Sequence, residues 1–204
     1  MRKLLFVGVL AALLAGVDVA ARAAAEQRLA RRAAEAGGEQ ATATAEIGAF
    51  PFLPRLLFAG SVADVRVRAE TVTAGPLVVD AVEVDLDGVE LDRSALYGGQ
   101  VRLRDIDGGL VTVELDASLV TELVDVPVEI ADGVLRVTVA GQPVRARASV
   151  SDGAVVISVA GLPALRLSVP RTDLSPCVAA EVSVSGTHLR LSCHIESVPP
   201  GLVP

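Results

Sequence analysis

Aromatic side chains are scarce in this chain, which has four phenylalanines, one tyrosine and no tryptophan among its 204 residues. Its hydrophobic content is nevertheless 51%, so a large core can form and global disorder is excluded. That core must be built from aliphatic side chains. The length suits one domain, with or without a targeting segment.

Acidic residues outnumber basic ones, so the net charge is −7 and the isoelectric point is near 4.9. A nucleic-acid partner would require a basic face, which this balance does not favour. Docking onto anionic lipid by charge alone would require a basic cluster and is disfavoured for the same reason.

Residues that carry catalysis or bind metals are few and poorly spaced. The two histidines, His188 and His194, share the parity of Arg190 and Ser192 in an alternating segment, so they belong to its polar face, away from Cys193. No Gly-x-Ser-x-Gly elbow and no glycine motif for phosphate occurs in the sequence. We therefore expect no metal, no cofactor and no enzymatic activity.

The N-terminus has the features of an export signal. Two basic residues precede an apolar run over Leu4–Val17, and Ala21-Arg22-Ala23 forms a small-x-small cleavage site. Residues 1–23 are thus expected to be a signal peptide or an uncleaved membrane anchor, although Asp18 counts against a complete span. Either interpretation places the folded part outside the cytoplasm, in the cell envelope or periplasm.

The two cysteines fit an exported protein. An even count in an oxidising compartment predicts a disulfide between Cys177 and Cys193. If Val184–Gly186 were a three-residue hairpin loop, the two positions would face each other in the ladder. Two buried free thiols are the alternative.

Helical and period-two patterns divide the rest of the chain. A helix is predicted over 21–38, ended by a glycine pair, and a short strand over 41–47. Strands with one polar and one apolar face are predicted over 65–69, 82–91, 101–106, 110–115, 178–185 and 187–195. Turns are predicted at Asp87-Gly88, Tyr97-Gly98-Gly99, Asp107-Gly108, Asp132-Gly133 and Asp152-Gly153. Asp116 is the expected N-cap of one further helix, over 117–124.

Segments 131–150 and 151–170 align without a gap and share Asp-Gly and Val-Ala-Gly-x-Pro. Shared turn chemistry in two successive hairpins and a true internal duplication both explain this.

The predicted architecture is α+β and β-rich, with a single large antiparallel sheet. Its apolar face has thin helical cover, so a groove or cavity between helix and sheet is expected.

Three of the four phenylalanines fall within one short segment, Gly48–Gly60, together with two prolines. This segment is either a plug that closes the core or a rim that contacts lipid. Its candidate entrance residues are Phe50, Phe52, Leu53, Leu56, Leu57 and Phe58. Arg55 is a weak candidate for a phosphate headgroup, since a surface arginine whose stem covers apolar side chains is the other interpretation. Val82, Val84 and Leu86 are weak candidates for an aliphatic wall.

The segment I-G-A-F-P-F-L (47–53), followed by Gly60 and then by alternating strands, resembles the actinobacterial LmeA-like family of phospholipid-binding cell-envelope proteins. The resemblance covers roughly residues 20–198. It implies a fold akin to tubular lipid-binding proteins, in which a long curved antiparallel sheet wraps a helix and leaves a groove for acyl chains. It also implies a phospholipid partner.

These expectations divide the chain into the N-terminal segment (1–23), a lipid-binding-like domain (24–198) and a tail (199–204). The expected function is non-enzymatic binding or shuttling of phospholipid in the envelope, at a membrane surface or from an N-terminal anchor. The alternative is a structural or adaptor protein that docks an envelope partner through its apolar loop or a sheet edge.

Overall fold

The chain folds into antiparallel sheets preceded by a long helix. The computed structural model describes residues 2–48, 50–74, 77–98, 102–151, 154–161, 163–168 and 179–197. Its helices are α1 (Arg2–Gly37), α2 (Phe52–Pro54), α3 (Arg93–Tyr97) and α4 (Ala117–Val124), and a π-helical turn (Arg55–Ala59) follows α2. Its strands are β1 (Thr42–Ile47), β2 (Ser61–Ala74), β3 (Leu77–Leu91), β4 (Leu103–Asp105), β5 (Gly108–Leu115), β6 (Val128–Ala131), β7 (Val134–Val139), β8 (Gln142–Ser151), β9 (Ala154–Val159), β10 (Leu165–Ser168), β11 (Ala179–Ser185) and β12 (His188–Ile195).

Within the described ranges these strands form two antiparallel sheets. The seven-stranded sheet has the order β1-β2-β3-β5-β12-β11, with β4 paired to β3, and the five-stranded sheet has the order β10-β9-β8-β7-β6. The α+β, β-rich class with an N-terminal helix is confirmed, and neither sheet closes. The expectation of a single sheet is wrong, because α4 leads the chain away from β5 and β12 takes the place beside it.

Side-chain alternation gives the seven-stranded sheet two distinct faces. Its register pairs Val67 with Val84 and Val84 with Val111, and these residues share one apolar face, called here the inner face. Arg68 pairs with Glu83 on the opposite, charged face, called here the outer face. The period-two pattern of the sequence therefore predicted the faces of β2, β3 and β5 correctly.

Two hydrophobic clusters form the core. The inter-sheet cluster joins both sheets and α4; its most buried members are Val120, Leu135, Val137, Val155, Ile157 and Leu189. The helix-side cluster contains Ile47, Phe52, Val62, Val89, Ile106 and Ile195. Ala21 and Ala25 of α1 pack against the helix-side cluster. Small alanine side chains let the helix approach the sheet closely but bury little area.

Helix α1 changes character along its length. From Ala21 to Gly37 one face is half-buried or buried at helical spacing, and the helix contacts β1 and β2. Residues 13–17 are exposed on every side, and Asp18 is the first buried residue of the helix among those whose side chains are described. The helix continues through position 23 without a break. No helix in the described part of the chain is long and apolar enough to cross a membrane.

The predicted turns had mixed outcomes. Asp132-Gly133 connects β6 to β7, as expected. Asp107-Gly108 is not a hairpin turn, because β4 and β5 both pair with β3 and Gly108 is already the first residue of β5. The prediction of a turn at Asp87-Gly88 is wrong, because both residues lie inside β3. Gly88 has φ 59°, and a glycine with positive φ fits a local irregularity within a strand as well as a turn. At the predicted turn Tyr97-Gly98-Gly99, Tyr97 is instead the last residue of helix α3, which the sequence analysis did not predict. The Asp92 side chain caps the N-terminus of this helix by accepting hydrogen bonds from the backbone N–H groups of Ser94 and Ala95. Asp152-Gly153 and Gly99 lie outside the described residues.

The prediction around α4 is confirmed in detail. The helix covers Ala117–Val124, and the Asp116 carboxylate accepts a hydrogen bond from the Leu119 N–H at 2.7 Å. Segments 131–150 and 151–170 contain two successive hairpins, β7–β8 and β9–β10. This arrangement is compatible with both explanations of the repeat.

The final hairpin corrects the argument about cysteine spacing. Its register pairs Ser185 with His188, so the turn is Gly186-Thr187 and not Val184–Gly186. Cys193 consequently lies opposite Ala180. Cys177 lies outside the described residues, so its pairing with Cys193 stays a prediction that no longer has support from the register.

Candidate functional site

The aromatic loop, Gly48–Gly60, is fixed at both ends by backbone hydrogen bonds. The Gly48 N–H donates to the Asp64 carbonyl at 2.9 Å, and the Gly60 carbonyl accepts from the Leu91 N–H at 2.7 Å. Gly60 has φ 70°, and a Cβ atom there would lie 2.7 Å from Cγ of Arg93. Glycine is therefore required where the loop joins β2.

The side chains of this loop divide into two groups. Phe52 is only 4% exposed, and Leu53 and Leu56 pack beside it in the helix-side cluster. Phe50 is 70% exposed and Phe58 is 79% exposed. Leu57 and Arg55 are also exposed. The loop thus combines the two roles that sequence reasoning held apart, since one group fills the core and the other faces outward.

Asp18 of α1 holds the loop in place. Its carboxylate is buried and accepts hydrogen bonds from the Phe52 N–H at 2.9 Å and the Leu53 N–H at 2.6 Å. These N–H groups belong to the first turn of α2 and have no partner within that short helix. A buried carboxylate that binds two amides joins the helix to the loop across 34 positions of sequence.

A second acidic residue on the same face of α1, Glu26, bonds the helix to the end of β1. The Glu26 carboxylate accepts from the Ile47 N–H at 2.9 Å and from Nε of Arg22 at 2.8 Å. Burial alone would raise the pKa of Glu26, but the hydrogen bonds from Arg22 and Ile47 outweigh it and hold the pKa below its ordinary value. Helix α1 is therefore bonded both to the aromatic loop and to the end of β1.

Two partner valines in the middle of the inner face lie outside both clusters, and their position is called here the gap. Val82 packs against the inter-sheet cluster and Leu86 against the helix-side cluster. Val84 lies between them on β3 and, with its partner Val67 on β2, belongs to neither cluster. Both valines are half-buried. Part of each valine side chain therefore stays accessible, and Val84 is one of the wall residues that the sequence indicated.

A polar pocket of about 460 Å³ opens at the end of the aromatic loop. It is lined by Ala59, Gly60, Glu90, Leu91, Asp92, Arg93, Ser94 and Arg104. Nη1 of Arg93 donates to the Phe58 carbonyl at 3.0 Å, so the pocket adjoins the exposed phenylalanine. Sequence reasoning missed this pocket, because its two arginines are 11 positions apart and only the fold brings them together.

The outer face carries a network of ion pairs. The Glu114 carboxylate is 8% exposed and accepts from Nη2 of Arg190 at 2.5 Å and from Nη2 of Arg68 at 3.0 Å. Burial would raise the pKa of Glu114, but these two hydrogen bonds and the positive charges lower it overall. His188 pairs with Asp80 at 3.2 Å on the same sheet. This charged face offers no surface for an apolar ligand, so the inner face is the candidate.

These features define an α+β protein in which antiparallel sheets and an N-terminal helix pack around an aliphatic face, next to a loop that exposes two phenylalanines. The family comparison agrees with that class. The chain belongs to the LmeA-like phospholipid-binding family, whose model matches residues 16–200. This match confirms the resemblance and covers most of the chain. Neither the curated proteins nor the solved structures contain a significant match to it.

Proposed function

We propose that this protein binds phospholipid without catalysing a reaction, and that an acyl chain lies on the inner face between the two clusters. The observation that supports the proposal is the half-buried pair Val67 and Val84, which belong to neither cluster. Membership of a phospholipid-binding family supports the ligand class. Each methylene that leaves water there would contribute about 0.8 kcal/mol, before the cost of ordering the chain.

The register gives the proposed groove its length. Ala45, Val67 and Val84 are successive partners on β1, β2 and β3, and none of them belongs to either cluster. Two inter-strand steps of about 4.8 Å make a strip roughly 10 Å long. A strip of that length accommodates part of an acyl chain.

The aromatic loop is the proposed entrance. Phe50, Leu57 and Phe58 would meet the lipid first, while Phe52, Leu53 and Leu56 hold the loop on the core. The headgroup would contact Arg55 or the polar pocket, where Arg93 and Arg104 supply positive charge. We place this activity in the cell envelope, outside the cytoplasm, on the basis of the N-terminal sequence.

Filling the gap tests the proposal without adding a polar group to the core. Val84→Phe should occlude the strip, whereas Val78→Phe changes an exposed valine (52% exposed) on the same strand and serves as the matched control. The protein would be purified from an envelope-containing host and measured by native mass spectrometry, with organic extraction of bound lipid. We expect stoichiometric phospholipid in the wild type and in Val78→Phe, and a loss of most of it in Val84→Phe.

A lipid-free wild-type mass that vesicles do not change would overturn the proposal. The same exposed phenylalanines would then favour the adaptor function, in which the loop docks an envelope protein. Transfer between donor and acceptor vesicles distinguishes shuttling from static binding, since only shuttling requires release of the lipid.

A further inference from the structure

The exposed apolar side chains of the protein are concentrated at one place. Their positions in the sequence are far apart, but two hydrogen bonds to Asp18 join α1 to the loop just beyond Phe50. Of the eight large hydrophobic side chains exposed in the described part of the chain, seven belong to these two segments. They are Leu13, Leu14, Val17 and Val19 on α1, and Phe50, Leu57 and Phe58 on the loop.

The α1 segment before Asp18 is apolar on all sides. Residues 13–17 are all exposed, and none of them carries a polar side chain. A helix that is apolar all round is stable only when it is surrounded by protein or by lipid. The same helix continues back to Arg2, and its sequence stays apolar from Val17 to Leu4.

We infer that α1 is retained in the mature protein and that its apolar end and the aromatic loop form one docking surface for a phospholipid bilayer. Leu4–Val17 would enter the hydrocarbon for about 21 Å of helix, short of the roughly 30 Å of a complete span. Phe50 and Phe58 would rest at the interface beside it, and Arg2 and Lys3 at the other end would have to extend to the headgroups of the opposite leaflet, as long basic side chains can.

Two observations argue against cleavage after Ala23. Cleavage there would remove Asp18, whose carboxylate binds the amides of Phe52 and Leu53, and Ala21, which packs on the helix-side cluster. The family match also begins at residue 16, before the cleavage site. Asp18 is therefore a positioning residue, which sets the loop at the point where the helix leaves the domain.

This inference goes beyond lipid binding in the groove and does not require it. The chain has no tryptophan, so Phe58→Trp introduces a single tryptophan, which can be excited selectively, on the proposed surface. Val78→Trp, on the exposed part of β3, is the matched control. The full chain would be exported in a bacterial host, its intact mass measured, and its emission recorded with phosphatidylcholine–phosphatidylglycerol vesicles carrying brominated acyl chains.

We expect an intact mass that includes residues 1–23, and quenching and a blue shift of the Phe58→Trp emission that Val78→Trp does not show. Adding Val84→Phe should leave this quenching unchanged, which separates bilayer docking from uptake into the groove. Asp18→Ala should accelerate amide hydrogen exchange at Phe52 and Leu53 without affecting β5, and Asp18→Asn, which keeps one acceptor, should restore part of the protection. A mature chain that begins at Ala24, an emission that vesicles leave unchanged, or unaltered exchange in Asp18→Ala would overturn the inference.

Discussion

Two phenylalanines of the aromatic loop, two positions apart, should respond very differently to truncation. Phe52 is 4% exposed in the helix-side cluster, so Phe52→Ala removes a buried ring and leaves a cavity in that cluster. Such truncations cost about 3–5 kcal/mol of unfolding free energy. Phe50 is 70% exposed, and Phe50→Ala should change the free energy of unfolding by no more than about 0.5 kcal/mol.

Urea unfolding of the two variants and the wild type, followed by circular dichroism, measures this difference. A loss of about 4 kcal/mol corresponds to a drop in Tm of roughly 8–16 °C for a chain of this size. Equal destabilisation by both substitutions would refute the division of the loop into a core group and an exposed group.

Three further predictions concern single contacts. The pKa of Glu114 lies below its ordinary value of 4.5, so its stabilising contribution is present above that pH and is lost as the pH falls through the lowered pKa. Glu114→Gln should therefore flatten the acid limb of a plot of unfolding free energy against pH. An unchanged acid limb would contradict this. Asp116→Ala should lower the free energy of unfolding by about 0.5–2 kcal/mol through loss of the cap on Leu119, whereas Asp116→Asn should lose little, and equal losses would argue against capping. Gly60→Ala should lower the free energy of unfolding by about 1 kcal/mol or more, because both the positive φ and the closeness of Arg93 oppose a Cβ atom. A Tm equal to that of the wild type would contradict the loop geometry.

Regular elements were predictable because their signals are local. Alternation identified β2, β3, β5 and β12, and the Asp116 cap with its apolar spacing identified α4. The division into two sheets was not predictable in this way. It depends on β12 taking the place beside β5, a pairing between segments about 80 residues apart.

The site was predictable only in outline. Clustering of phenylalanines indicated the loop, but an irregular loop has no period that would assign Phe52 to the core and Phe58 to the surface. The charge of Asp18 indicates only an obstacle to a membrane span, although Asp18, Arg22 and Glu26 follow one another at intervals of four residues, which is a signal for one polar helix face. The gap at Val84 depends on which neighbours pack on each side of it, and periodicity carries no information about that.

The central claim is that an acyl chain occupies the strip between the two clusters. The most direct measurement is photo-crosslinking with a phospholipid that carries a photoactivatable group near the end of one acyl chain, followed by peptide mass spectrometry. The account predicts adducts on the β2 and β3 peptides that contain Val67 and Val84, and their loss in Val84→Phe. Adducts confined to the aromatic loop, or none on the protein, would contradict it.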